Sequence, residues 1–236
     1  MLTHSAVLKS AFHPAALLDE PVESKPASDH HAEEASLERW MQLVGGITYY
    51  PRRVQIVHED EAADRLYKVI SGTVCTYKVL SDGRRQIGGF YLPGDIFGLE
   101  FAEEHTFSAE AITDAKVVVV KRNAITALAG RDPAIGRELF ALTGRELRRV
   151  QDRVLLLVKS AQERVASFLL EMAERASAGN TIELPMSRQD IADYLGLTIE
   201  TVSRTLTGLE SATTIEVPTS RRIVLRNRSA LSRLNG

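Results

Sequence analysis

Ile199, Glu200, Ser203 and Arg204 lie within six residues of one another, near the end of the stretch Ser187-Arg-Gln-Asp-Ile-Ala-Asp-Tyr-Leu-Gly-Leu-Thr-Ile-Glu-Thr-Val-Ser-Arg-Thr-Leu-Thr-Gly-Leu209. On a helix, a glutamate and an arginine four apart share one face. If that face is the N-terminal end of a helix entering the major groove of DNA, the chemistry is base reading. Arg204 can donate two parallel hydrogen bonds to guanine O6 and N7, Glu200 can accept from cytosine N4, and Ser203 can reach a thymine or a phosphate. Ile199 joins them as a candidate base-reading position. The competing reading is an ordinary i,i+4 salt bridge on a solvated helix. Residues 217–236 weigh against it, because they hold Arg221, Arg222, Arg226, Arg228 and Arg233 and no acidic residue. Local positive charge of that kind is where phosphates sit. Candidate backbone contacts are therefore Ser187, Arg188, Thr198, Thr201, Arg221, Arg222 and Arg226.

The elements that must position these residues are legible nearby. Ser187 followed by Asp190 is a capping-box pattern and starts a helix that turns Ile191, Ala192 and Leu195 inward. Gly196 permits a tight turn, and Thr198 caps a second helix burying Val202, Leu206 and Leu209. Two short helices around a glycine turn form a helix-turn-helix. Ile223-Val-Leu225 among the arginines reads as a wing hairpin. Ser187 sits where helix amides favour an anion. Serine is also the nearest isostere of cysteine, and a thiol at that N-cap would have a lowered pKa and could serve as an oxidation switch.

The rest of the chain supplies the platform. It has 236 residues, 44% of them hydrophobic, enough to bury cores in more than one domain, and its net charge of −2 confines any nucleic-acid site to a local patch. Residues 1–36, with Pro14, Pro21 and Pro26, read as a disordered tail. A short helix is predicted around Leu37–Leu43. Residues 37–125 read as a β-roll sensor-type domain, with the β signal from Thr48 to about Lys121: Val54–Val57, Leu66–Ser71, Thr73–Leu80, Arg85–Leu92, Phe107–Thr113 and Lys116–Lys121 are short runs separated by Gly and Pro turns, as in a double-sheet roll. From Gly136, the positions Phe140, Thr143, Leu147, Val150, Val154 and Leu157 recur at alternating gaps of four and three. That is a heptad seam, so residues 126–160 read as a long dimerisation helix, the alternative being a core helix packed on its own roll. Residues 161–236 form the winged helix-turn-helix. The fold class is α+β.

These motifs resemble the Crp/Fnr superfamily of bacterial regulators. Glu200-Thr-Val-Ser203-Arg204 is similar to the Glu-x-x-Ser-Arg signature of the Fnr/FixK branch. Ala161-Gln-Glu-Arg164-Val-Ala166, Phe168-Leu169, Ile191-Ala-Asp-Tyr-Leu-Gly-Leu197, Leu66-Tyr67, Ser71-Gly72 and Pro93-Gly94-Asp95 match the same branch, and the resemblance covers roughly residues 47–234. It implies a cyclic-nucleotide-binding-type roll, a dimer helix and a winged helix on a palindrome of TTGAT-like half-sites. It further implies a transcription activator working with RNA polymerase on low-oxygen or respiratory genes. Two departures stand out: Ala212-Thr-Thr-Ile215 replaces the usual Gly-Leu-Ile before the wing, and Asn227 stands where Asp is common.

No cofactor is expected. Between Gln86 and Lys121 there is no arginine, and Glu100, Glu103 and Glu104 would repel a cyclic phosphate. An Fnr-type cluster needs a cysteine group that residues 1–36 lack; the single cysteine, Cys75, reads as a small apolar core residue. His58 and His105 are the histidines of the roll, and Glu103-Glu104-His105 reads as a solvated turn. No nucleophile–base constellation points to an enzyme. A ligand-gated regulator with haem or a small molecule in the roll, and a cupin-type metalloenzyme, are the alternatives. With no signal peptide or membrane span in the pattern, a cytoplasmic protein is expected.

Overall fold

A computed structural model describes residues 29–100, 102–175 and 179–235. Residues 1–28 of the expected tail lie outside the described residues. Helix α1 runs Asp29–Val44, so it starts within the stretch read as a tail and well before Leu37. Ala32-Glu-Glu-Ala are strong helix formers, which the proline-based reading of the tail overlooked. At Leu37 the helix docks on the long helix through its backbone N–H, which donates to Glu138 Oε2 at 2.8 Å.

The roll consists of β1 (Gly46–Tyr50), β2 (Gln55–Val57), β3 (Arg65–Ser71), β4 (Val74–Val79), β5 (Arg85–Tyr91), β6 (Ile96–Phe97), β7 (Ser108–Ala111) and β8 (Ala115–Lys121). Two four-stranded sheets, β1-β8-β3-β6 and β2-β7-β4-β5, face each other. Val57, Tyr67, Val69, Val74, Phe97 and Val117 fill the space between them. The six expected strands are all present; β1 and the two-residue β6 carried too few alternating residues to be predicted.

The long-helix expectation needs a correction. Residues 126–160 are not one helix: α2 (Arg122–Ala129) ends at Gly130 and α3 (Pro133–Leu156) begins anew. Asp132 caps α3 by accepting from Ala134 N at 2.9 Å, and Pro133 takes the first turn, where its missing N–H costs nothing. The α3 helix leaves its heptad stripe on the outside: Phe140 is 82% exposed, Leu157 70%, Leu147 and Val154 58% each, and Val150 46%. The face next to the stripe grips the roll with charge. Arg149 pairs with Asp95 at 3.1 Å, and Tyr91 donates to Glu146 at 3.3 Å.

Beyond it lie α4 (Ala161–Arg175), β9 (Thr181–Glu183), α5 (Arg188–Leu195), α6 (Ile199–Ser211), β10 (Ile215–Thr219), β11 (Arg222–Leu225) and α7 (Arg228–Asn235). The unit packs on Phe168, Leu169, Ile191, Leu209 and Ile223, and this core continues into the roll through Ile87 and Phe90 of β5. Helix α7 was not predicted from sequence. It is short, and Leu231 is fully buried.

Candidate nucleic-acid interface

Helix α5 starts with a reciprocal capping box. Ser187 Oγ accepts from Asp190 N at 3.1 Å, and Asp190 Oδ2 accepts from Ser187 N at 2.8 Å and Ser187 Oγ at 2.6 Å. The turn after it rests on Gly196, whose φ of +64° suits glycine. Thr198 then caps α6 by accepting from Thr201 N at 3.2 Å, and the two hydroxyls lie 3.0 Å apart. Val202, Leu206 and Leu209 are buried against α5 and α4, which fixes the rotation of α6 and turns Ile199, Glu200, Ser203 and Arg204 outward. Among the described residues, neither Glu200 nor Arg204 makes an ion pair, so the salt-bridge reading of that pair has no support in the geometry. Ser203 Oγ donates to Ile199 O at 2.8 Å, which leaves its lone pairs free to accept.

The candidate backbone contacts differ in how available they are. Arg188 is half-buried, with one guanidinium nitrogen lacking a partner, and burial holds its pKa below the ordinary arginine range. Arg221 Nη1 donates to Pro185 O at 2.5 Å, which ties the wing to the segment before α5. Arg222 faces Glu183 at 3.5 Å, and Arg226 is chelated by Glu216. The arginine-rich window has no acid of its own, yet Glu183 and Glu216 reach it from adjacent strands. A linear window cannot show such cross-strand partners.

The departure at Ala212-Thr-Thr-Ile215 has a structural counterpart. Thr213 N donates to Glu210 O at 2.8 Å and Thr214 N to Leu209 O at 3.0 Å, the pattern of a Schellman termination. Its left-handed position is held by Thr213 at φ +54°, where glycine is the ordinary occupant.

In the roll, a cavity of about 430 Å³ lies between the sheets and α3, lined by Tyr91, Phe97, Glu100, Glu146, Leu147 and Arg153 among others. Two carboxylates beside one arginine do not suit a cyclic phosphate. His105 corrects the solvated-turn expectation. It is 4% exposed, with Nδ1 3.3 Å from Glu100 Oε2 and its ring tilted against Tyr67. Cys75 is fully buried, and burial pushes its thiol up to about 12. Among the described residues no group of three or more His, Cys, Asp or Glu is placed to hold a metal, and no helix is long and apolar enough to cross a membrane.

Comparison with known proteins agrees with this layout. Residues 47–132 match the cyclic nucleotide-binding domain and residues 163–234 the Crp-like helix-turn-helix domain. The chain is 49% identical over 215 residues to the nitrogen fixation regulation protein FixK of Azorhizobium caulinodans, covering 89% of this chain and 86% of that one. It is 42% identical over 181 residues to the transcriptional activatory protein AadR of Rhodopseudomonas palustris, covering 75% of each. The solved structure of FixK2 from Bradyrhizobium japonicum superimposes with a TM-score of 0.79 at 49% identity, covering 82% of this chain and 98% of that one. The chain belongs to the Crp/Fnr family, as a FixK-type transcription regulator with a helix-turn-helix DNA-binding domain.

Proposed function

We propose that this regulator activates transcription as a homodimer in the cytoplasm, by binding a palindrome of TTGAT-like half-sites without cyclic nucleotide or Fe–S cluster. The carrying observation is the outer face of α6: Glu200 and Arg204 project from a capped N-terminus with no partner among the described residues to satisfy them. Ile199, Glu200, Ser203 and Arg204 read bases. Ser187, Arg188, Thr198 and Thr201, around the N-termini of α5 and α6, hold phosphates, and the wing's Arg221, Arg222 and Arg226 add positive field. Phe140, Thr143, Leu147, Val150, Val154 and Leu157 form the seam between protomers, since an apolar stripe this exposed on a 24-residue helix calls for a partner. A two-fold dimer then presents two α6 helices about one DNA turn, ~34 Å, apart. Once seated, the roll and α3 offer RNA polymerase a surface beside the operator. Low-oxygen or respiratory genes are the expected targets, as the resemblance to the Fnr/FixK branch implies. Having one cysteine, this chain cannot ligate an all-thiolate cluster. The test is a gel shift of the protein alone on a TTGAT palindrome and on a scrambled duplex. Tight, selective binding without added effector supports the reading, and equal binding to both duplexes overturns it.

The cavity between the roll and α3 favours a second reading, in which a small molecule seated there gates the dimer. Selective binding that appears only after adding a cell-extract small-molecule pool would establish that reading over the effector-free one.

A further inference from the structure

Strand β5 opens with Arg85-Gln86, and both side chains leave the roll to hold helix α5. The Arg85 guanidinium is anchored on its own domain three times. Nη2 donates to Glu110 Oε1 at 2.6 Å and to Cys75 Sγ at 3.1 Å, and the carbon of the fork sits 4.2 Å over the Tyr77 ring. Its other terminal nitrogen, Nη1, forms an ion pair at 3.6 Å with Asp190 Oδ1, across to the reading domain, while Nε is buried without a hydrogen-bond partner among the described residues. Asp190 is the capping-box carboxylate whose other oxygen already holds Ser187. Next to it, Gln86 Nε2 donates to Asp193 O at 2.6 Å, one turn further along α5. A planar guanidinium held on three sides has little room to swing, and Asp190 is fixed on α5 by its capping box, so the ion pair between them favours one placement of α5 on the roll. Below this polar pair, Phe90 of β5 meets Tyr194 and Phe168 at ring-centre distances of 5.1 and 6.3 Å, closing the joint with apolar surface.

The apolar part of the joint gives adhesion without direction, because ring contacts tolerate sliding. The polar pair gives direction. Side chains at the clasp are 27% exposed for Arg85, 20% for Glu110 and 17% for Asp190, so salt screens this contact less than a surface pair. Helix α5 is packed against α6, and any tilt at the clasp is passed to the reading face. Arg204 is the sixth residue of α6, about 9 Å along its axis, so a tilt of about 10° about the start of the helix moves it by roughly 1.5 Å, enough to break a two-pronged guanine contact.

We infer that Arg85, with Gln86 beside it, is a positioning residue for DNA recognition: it fixes the angle of the helix-turn-helix on the roll through Asp190, and so sets the separation of the two recognition helices in the dimer. This rests on the two-fold, palindrome-binding reading above. No base or phosphate touches Arg85 in this role, so its signature is geometric.

The test uses the full-length dimer and a library of palindromes whose half-sites are fixed but whose central spacing varies. Wild type is expected to prefer one spacing sharply. R85Q should keep the half-site consensus and the dimer, bind the best operator about tenfold more weakly, less than the loss on truncating a fully buried charge pair because the clasp keeps some access to water, and spread its preference over neighbouring spacings. R85K should recover part of both, and Q86A should move the same readout less. Since R85Q strands Glu110, the paired variant R85Q/E110Q removes that carboxylate and should show the same broadened spacing with normal folding by circular dichroism. If R85Q/E110Q keeps the wild-type spacing preference, or weakens an isolated half-site as much as the full palindrome, the clasp has no positioning role. A wild type indifferent to spacing overturns the two-fold reading itself, and the clasp with it.

Discussion

Substituting Val154 by glutamate tests the dimer seam where the numbers are most decisive. Phe140, Leu147, Val150, Val154 and Leu157 are between 46% and 82% exposed in the protomer. Full burial of such side chains contributes about 1.5–3 kcal/mol each, so each has roughly 1–2 kcal/mol still to gain, on the order of 10–20 kcal/mol over both protomers. Association itself costs about 4–15 kcal/mol in lost freedom. The net margin is therefore a few kcal/mol, with the roll adding whatever contacts it makes across the axis. V154E removes the apolar gain at that position twice and places two carboxylates near each other at the two-fold, each carrying a desolvation penalty of several kcal/mol. That exceeds the margin, and sedimentation velocity should show a monomer at concentrations where wild type is dimeric. Affinity for the full palindrome should collapse while affinity for an isolated half-site changes little. If V154E sediments as a dimer and binds the palindrome normally, the interface lies on another face and the heptad argument is wrong.

Arg204→Ala should cost about 1–3 kcal/mol on the operator and relax preference at one base per half-site; Arg204→Lys should be nearly as poor, because an ammonium cannot replace two parallel hydrogen bonds. Selection from randomised duplexes reads this out, and an unchanged consensus returns Arg204 to the surface. Thr213→Gly should stabilise: a left-handed non-glycine residue costs about 1–2 kcal/mol and glycine's greater unfolded freedom takes back about 0.5–1, leaving a net gain of about 1 kcal/mol or less. A thermal melt should therefore rise by roughly 2–4 °C per kcal/mol gained, and a melt that falls instead would place Thr213 in contacts that matter more than its φ. Cys75, buried and raised to about 12, should resist maleimide at neutral pH until denaturant is added. Glu216→Gln should free Arg226 for phosphate and steepen the salt dependence of non-specific binding by up to about 0.9 in the log–log slope; an unaltered slope would mean that Arg226 meets no phosphate.

What could be read from the sequence was what is encoded locally. The helix-turn-helix lies within 23 residues, and each of its signals acts over three or four positions: Ser187 on Asp190, Gly196 in the turn, Thr198 on Thr201. Its caps and buried positions follow from those signals without knowledge of the rest. The strands of the roll were legible as runs, while their order in two sheets was not, since pairing of β1 with β8 joins residues some seventy positions apart. The α2–α3 break was missed although Asp132-Pro133 announces it, because the heptad pattern dominated the reading of that region. His105, Arg85 and Gln86 were opaque for a different reason. Their partners arrive from other elements, and no window contains both members of the Arg85–Asp190 or Gln86–Asp193 contact.

The same distinction separates the two kinds of arginine on the DNA-facing domain. Arg221, Arg222 and Arg226 are each held by an oxygen from a neighbouring segment, whereas Arg204 is left without an ion-pair partner among the described residues. A phosphate approaching the wing must displace or share with Glu183 and Glu216, so its Coulombic gain is partly spent before contact. A guanine approaching Arg204 meets a fork with nothing to displace but water. On the proposed reading, non-specific binding draws on the first group and base reading on the second. If those roles hold, a net charge of −2 overall and internally paired cations in the wing should weaken the hold on arbitrary DNA more than the hold on the right sequence. Specificity is a difference of affinities, and on this reading it is raised by lowering the lesser of the two.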